Sequence, residues 1–166
     1  MMYDERLVAP MRQELTRLGV EELRTAADVE AKLADAPGTA LVVVNSVCGC
    51  AARNARPAIA EALRHGVTPD RLTTVFAGQD TDATAAARRL FVGYRPSSPS
   101  IGLLKDGEPV FMLERHQIEG RTAAEIASDL RAAFDRYCTT DTASAPACAR
   151  ARSRARQEVH GACPYC

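Results

Sequence analysis

The chain has no tryptophan, few aromatic residues and no net charge. Only 5% of its 166 residues are aromatic, so a hydrophobic core has to be built mainly from Leu, Val, Ile and Ala. Its 21 basic residues balance its 21 acidic ones, and no overall electrostatic field therefore attracts nucleic acid or an anionic membrane. We expect neither a nucleic acid nor a membrane among its partners.

Long apolar runs are also missing. The longest uncharged stretch, residues 36–52, contains Pro, Gly, Asn and Ser and is shorter than the roughly 20 apolar residues of a membrane-spanning helix. The first residues, MMYDERLVAPMRQEL, carry charges where a secretory signal needs an apolar stretch. We therefore expect a soluble, cytoplasmic protein.

Six cysteines are present, at positions 48, 50, 138, 148, 163 and 166. Structural disulfides are rare in a reducing cytoplasm, so closely spaced cysteines there indicate redox or metal chemistry. Two pairs are closely spaced: Cys48 and Cys50 in a CGC sequence, and Cys163 and Cys166 in a CPYC sequence at the C-terminal end.

Apolar periodicity and turn residues predict an α/β domain. Two helices, the second starting at a capping box over residues 25–28, precede a fully apolar strand at residues 41–44 of the kind found in parallel sheets. A helix, a strand and another helix follow, then a hairpin that turns at residues 106–107 and a last helix that starts at a capping box over residues 122–125. This order predicts a mixed central sheet flanked by helices, with an extra helix at the N-terminus.

Residues 139–166 differ in composition from the rest of the chain. They are rich in Thr, Ser, Ala and Arg and have no helical or strand periodicity. We predict one domain over residues 1–138 and a flexible C-terminal extension over residues 139–166.

The CGC pair lies between the apolar strand and a stretch of helical composition. A cysteine at the first turn of a helix faces unpaired backbone N–H groups and the positive end of the helix dipole, and both lower its pKa. We therefore interpret Cys48 as the nucleophile and Cys50 as the resolving thiol of a thiol–disulfide exchange. The single residue between them is expected to strain a disulfide, which favours exchange over strongly reducing chemistry. The alternatives are that the two cysteines are inert buried thiols or that they form part of a metal site.

Four segments of the sequence together resemble a known family. They read VVNSVCGCAA at residues 43–52, VFAGQD at 75–80, PSSPS at 96–100 and RHQIEG at 115–120. In this order they are similar to the bacilliredoxins, proteins of bacteria that use bacillithiol as their low-molecular-weight thiol. The likeness covers about residues 3–138 and implies a thioredoxin-like fold.

The resemblance also implies an activity, the removal of bacillithiol from S-bacillithiolated protein cysteines. Bacillithiol would pass to Cys48, and Cys50 or a second bacillithiol would release it. No bound cofactor is implied; bacillithiol is the co-substrate, and an NADPH-dependent flavoprotein disulfide reductase is the recycling partner. Disulfide isomerisation is the other activity that the family implies.

Further site residues follow from the same resemblance. In a thioredoxin-like domain the loop before the third core strand carries a cis-proline that faces the cysteines, so we expect a cis Ser98–Pro99 bond and substrate contacts there. Bacillithiol carries a malate group, and Arg53 or Arg56 is a candidate to bind its carboxylates. Solvated helix charges are the alternative for both arginines.

The remaining candidates have less defined roles. We interpret His116, in the RHQIEG segment, as a structural hydrogen-bonding residue and Cys138 as a helix-end thiol without a required role.

The CPYC pair has no helix after it, so the argument that activates Cys48 does not apply there. It is interpreted as incidental thiols, as a pair that swings to the CGC site, or as part of a zinc site formed by Cys148, His160, Cys163 and Cys166. The zinc site defines the alternative function, a metal-binding or metal-sensing protein on a thioredoxin-like scaffold.

Overall fold

A five-stranded mixed sheet forms the centre of the computed structural model, which describes residues 2–139. The strands are β1 (Glu21–Glu22), β2 (Thr39–Asn45), β3 (Arg71–Phe76), β4 (Ser100–Lys105) and β5 (Glu108–Leu113). Their spatial order is β1-β3-β2-β4-β5. The first three strands are parallel, whereas β4 runs antiparallel to both β2 and β5. The mixed sheet predicted from the element order is confirmed.

Helices cover both faces of this sheet. They are α1 (Glu5–Thr16), α2 (Ala26–Leu33), α3 (Arg56–Ala62), α4 (Thr81–Leu90), α5 (Arg115–Ile118) and α6 (Ala123–Tyr137). Successive residues of β2 point to opposite faces, and Leu41 and Val43 belong to the core that includes α3 and α6. Val42 and Val44 belong to the core that includes α2 and α4. Every residue of β2 is therefore buried, which explains its continuous apolar sequence.

Local signals in the sequence were accurate at the helix starts and in the hairpin turn. The capping boxes that begin α2 and α6 are both formed. In the turn between β4 and β5, Asp106 and Gly107 have φ angles of 52° and 84°, as the two central residues of a tight hairpin turn with positive φ require. The N-terminal helix α1 is present as well and ends before Gly19, whose φ is 85°.

The helix after the CGC pair departs from a regular α-helix. Residues Ala51–Ala55 form a widened π-helical turn, in which the N–H of Arg56 donates to the carbonyl of Ala51, and α3 follows directly. Pro57 has no N–H, and its ring would clash with the carbonyl four residues earlier in a regular helix. The widened turn accommodates this proline.

Within residues 2–139, no helix is both long enough and apolar enough to cross a membrane. Nearly all of the C-terminal extension lies outside the described residues.

Candidate active site

The CGC pair lies where β2 leads into a helix. The strand ends at Asn45, and the backbone N–H groups of Ala51 and Ala52 donate to the carbonyl of Cys48 at 3.1 and 3.2 Å. A helical turn therefore begins directly after Cys48. The expected position of this cysteine, between a buried strand and a helix start, is confirmed.

Several hydrogen-bond donors surround the sulfur of Cys48. The Ser46 hydroxyl donates to Cys48 Sγ at 3.2 Å, and the Ala51 N–H approaches it at 3.4 Å. Cys50 Sγ lies 2.8 Å from Cys48 Sγ, close enough for one thiol to donate to the other. Both cysteines are half-buried.

These contacts shift the pKa values of the two thiols in opposite directions. Burial raises the pKa of Cys48, but hydrogen bonds from Cys50, Ser46 and the backbone outweigh it, so the pKa of Cys48 is lowered overall. Burial, the hydrogen bond to Cys48 and the nearby Cys48 charge together raise the pKa of Cys50. The pair therefore contains one thiol suited to be a thiolate and one suited to donate a proton to it.

An open groove of about 440 Å³ lies against the two thiols. The cysteine loop and the widened turn form one side, and α5 with the residues after it forms the other. Two arginines, Arg53 and Arg115, line it together with one carboxylate, Glu119. The positive charge of Arg115 opposes the rise in the pKa of Cys50. The groove thus presents two exposed guanidinium groups beside the reactive sulfurs.

The loop before β4 supports Arg115. The peptide bond between Ser98 and Pro99 is cis, as predicted. Ser100 pairs with Val44, so this loop lies at the same end of the sheet as the cysteine loop. The Arg115 backbone N–H donates to Ser97 Oγ at 3.2 Å, and Arg115 Nη1 donates to the Ser98 carbonyl at 3.5 Å. Contacts of Ser98 and Pro99 with substrate remain a prediction.

The two arginines proposed for carboxylate binding have different positions. Arg53 is exposed in the groove, and its guanidinium packs against Gly49. Arg56 is only 3% exposed and forms an ion pair with Glu14 at 2.7 Å. It also donates to Asn45 Oδ1, so its guanidinium is occupied within the protein. The expected role of Arg56 in substrate binding does not fit the structure, whereas that of Arg53 stays a prediction.

Other functional residues were missed, or placed differently, by sequence reasoning. Arg115 was not singled out, although it stands in the RHQIEG segment, whose first four residues form α5. Asn54 Nδ2 donates to the carbonyls of Ile118 and Arg121, and so connects the widened turn to the end of α5 and the residues after it.

The side chain of His116 is exposed, and within residues 2–139 it forms no hydrogen bond. This result contradicts the structural hydrogen-bonding role that the sequence predicted for it.

Cys138 lies away from the groove. It caps the end of α6, and burial raises its pKa, partly offset by a hydrogen bond with Thr39. Thr39, next to Cys138, begins β2, whereas Cys48 follows the end of this strand. Cys138 and Cys48 therefore lie at opposite ends of the sheet.

The predicted zinc ligands Cys148, His160, Cys163 and Cys166 lie outside the described residues. Among residues 2–139, no group of three or more His, Cys, Asp or Glu side chains is arranged to hold a metal ion.

Comparison with known proteins assigns the fold first. The solution structure of the thioredoxin-like domain of Arabidopsis NCP (nuclear control of PEP activity) superposes with a TM-score of 0.50 at 19% sequence identity. The match covers 74% of this chain and 81% of that domain. At this identity the likeness shows the fold alone, and that fold is thioredoxin-like.

Sequence comparison then assigns the family. A family model described as Disulphide isomerase matches residues 3–138. A bacilliredoxin of Koribacter versatilis (strain Ellin345) is 55% identical over 137 residues, 82% of this chain and 94% of that protein. A bacilliredoxin of Salinibacter ruber is 52% identical over 154 residues, 90% of this chain and 89% of that protein. The chain therefore belongs to the bacilliredoxin family and is a thiol oxidoreductase with a thioredoxin-like fold.

Proposed function

We propose that the protein removes bacillithiol from S-bacillithiolated protein cysteines, with Cys48 as the nucleophile and Cys50 as the resolving thiol. One observation carries this proposal: the two sulfurs lie 2.8 Å apart, and their surroundings lower the pKa of Cys48 and raise that of Cys50. The names of its relatives support bacillithiol as the thiol involved.

In the first step, the Cys48 thiolate attacks the bacillithiol sulfur of the mixed disulfide. A Cys48–bacillithiol disulfide forms, the original disulfide breaks, and the target protein leaves as a thiolate that takes up a proton. No net oxidation occurs, because one disulfide replaces another. Hydrogen bonds from Ser46 and the Ala51 N–H support the negative charge on Cys48 before the attack.

In the second step, Cys50 loses its proton and attacks the sulfur of Cys48. Bacillithiol leaves as a thiolate, and a Cys48–Cys50 disulfide forms. Alternatively, the thiolate of a second bacillithiol attacks the bacillithiol sulfur of the adduct. Oxidised bacillithiol forms, and Cys48 leaves as a thiolate. The positive charge of Arg115, which favours the thiolate of Cys50, assists the intramolecular route.

Recycling requires an external source of electrons. Two bacillithiols reduce the Cys48–Cys50 disulfide and become oxidised bacillithiol, which an NADPH-dependent flavoprotein reductase then reduces. The protein itself needs no bound cofactor for this cycle, and we place it in the cytoplasm, where a reduced thiol pool is maintained. Attack of Cys48 on a protein disulfide would also begin an isomerisation, the second activity that this site supports.

Arg53 and Arg115 give the groove a preference for an anionic thiol. Both line it beside the cysteines, and guanidinium groups bind carboxylates through paired, charge-assisted hydrogen bonds. We assign them to the two carboxylates of the bacillithiol malate group. Glu119 lies 3.4 Å from Arg115 Nε and orients this arginine in the absence of substrate.

The direct test of the proposal measures release of bacillithiol from a bacillithiolated protein. Cys48→Ser is expected to abolish release, because among the described cysteines, Cys48, Cys50 and Cys138, the pKa is lowered only for Cys48. Cys50→Ser is expected to release the target protein once per molecule and then to stop unless free bacillithiol is added. Full turnover by Cys48→Ser, or turnover by Cys50→Ser without added thiol, would contradict the assignment.

A second test concerns recognition of the anionic thiol. Arg115→Gln and Arg53→Gln are each expected to raise KM for a bacillithiolated protein by roughly threefold to tenfold, since each removes one charged hydrogen-bonding partner. The KM for the same protein carrying an uncharged thiol, such as 2-mercaptoethanol, should change much less. Arg64→Gln serves as the control, because Arg64 is exposed, loses the same charge and does not line the groove. An equal effect on both thiols, or an equal effect of Arg64→Gln, would argue against the assignment.

A further inference from the structure

A set of hydrogen bonds that is exposed at Glu14 and buried at Arg56 connects α1 to the loop that carries Cys48. Glu14 of α1 accepts from Arg56 Nε at 2.7 Å. Arg56 Nη1 then donates to Asn45 Oδ1 at 3.1 Å and to the Ser46 carbonyl at 3.2 Å. With only 3% of its surface exposed, Arg56 has no access to a ligand in the groove, so its charge is used inside the protein.

The same contacts fix the peptide groups around Ser46. Asn45 Oδ1 accepts from the Ser46 N–H at 2.9 Å as well as from Arg56, and Asn45 Nδ2 donates to the Met11 carbonyl at 3.3 Å. Both the N–H and the C=O of Ser46 are thus hydrogen-bonded to residues that are themselves held in place. Ser46 is only 7% exposed, so water competes little for its hydroxyl, which donates to Cys48 Sγ.

We infer that Arg56, held by Glu14, is a positioning residue that keeps the Ser46 hydroxyl directed at the sulfur of Cys48. Arg56 is placed to act through Ser46, because its guanidinium donates to Glu14, Asn45 and the Ser46 carbonyl, whereas the Ser46 hydroxyl is the group that donates to Cys48 Sγ. Burying an arginine is costly unless its hydrogen bonds are made, and here they are made to the loop next to the nucleophile. The inference concerns the reactivity of Cys48 and holds whichever thiol is the substrate.

The test measures the pH dependence of Cys48 alkylation by iodoacetamide in the full chain, with the modified cysteine located by fragmentation mass spectrometry. Ser46→Ala is expected to raise the pKa of Cys48 by about one unit, since it removes one hydrogen bond to a charged sulfur. Arg56→Met is expected to raise it by at least half as much. The double variant Ser46→Ala/Arg56→Met should show no larger shift than Ser46→Ala alone, because the arginine has no effect once the hydroxyl is absent.

Two further variants separate positioning from general loss of stability. Glu14→Gln keeps a hydrogen-bond acceptor for Arg56 but removes the charge, and a smaller shift in the same direction is expected. Arg12→Met is the matched control: Arg12 is also a buried arginine, 5% exposed, but it pairs with Glu5, Glu22 and Asp80. It should leave the pKa of Cys48 unchanged.

Within residues 2–139, the charged or titratable groups that line the groove with Cys48 are Cys50, Arg53, Arg115 and Glu119, and none of these variants alters them. An unchanged Cys48 pKa in Arg56→Met would overturn the inference. Additive shifts in the double variant, or an equal shift in Arg12→Met, would overturn it too.

Discussion

At position 48, a half-buried sulfur is close to a hydroxyl, a backbone N–H and a second thiol. At position 50, the sulfur has a neighbouring thiol whose negative charge disfavours its own ionisation. The order of events in thiol–disulfide exchange therefore follows from the surroundings of each residue: Cys48 attacks because its thiolate is supported, and Cys50 holds its proton until the first sulfur is neutral.

The pKa directions predict the order in which Cys48, Cys50 and Cys138 react with iodoacetamide at pH 7. A lowered pKa gives Cys48 the larger thiolate fraction, whereas raised pKa values keep Cys50 and Cys138 protonated at this pH. Cys48 is therefore expected to be alkylated first, and its rate should level off at a lower pH than those of the other two. A time course followed by mass spectrometry measures this order. Earlier alkylation of Cys138 than of Cys48 would be inconsistent with it.

At the scale of elements, the helix after the CGC pair explains why one residue role was predicted wrongly. Arg53 and Arg56 both lie in the stretch of helical composition after the CGC pair, and either was a candidate to bind carboxylates. In the structure, Arg53 belongs to the widened turn Ala51–Ala55 and lines the groove, whereas Arg56 begins α3 and is buried against Glu14 and Asn45. Pro57 indicates from the sequence that the helix is irregular, but it does not indicate which form the irregularity takes.

Packing of the sheet against its helices leads to a prediction for Gly102. This residue lies in the middle of β4, and a Cβ added to it would come within 2.5 Å of the ring of Phe91. Phe91 is buried and directly follows α4, so it has little room to move. Gly102→Ala is expected to lower the free energy of unfolding by about 1–3 kcal/mol, measured by urea denaturation.

Gly66 provides the control for this variant. A Cβ added there meets no atom within 4 Å, and its φ lies outside the left-handed region. Gly66→Ala should therefore change the free energy of unfolding by less than about 0.5 kcal/mol or increase it slightly. Equal losses in the two variants would show that the contact with Phe91 is not the cause.

At the scale of the whole molecule, the sequence predicted the fold better than it predicted the groove. Strand β2, the capping boxes and the hairpin turn have local signals, and the family resemblance supplied their arrangement. Arg115 has no such signal, because it lies 65 positions after Cys50 and reaches the groove only through the packing of α5. The burial of Arg56 is likewise visible only once α1 is packed against the cysteine loop.

The central claim, that Cys48 accepts bacillithiol, can be tested by locating the adduct. A Cys50→Ser variant is mixed with one equivalent of a bacillithiolated protein in the absence of free thiol, and intact mass and peptide fragmentation locate the modification. We predict one bacillithiol per chain, carried by Cys48, and an equal amount of target protein with a free thiol. A bacillithiol adduct on Cys138 or on an extension cysteine, with Cys48 unmodified, would contradict the account.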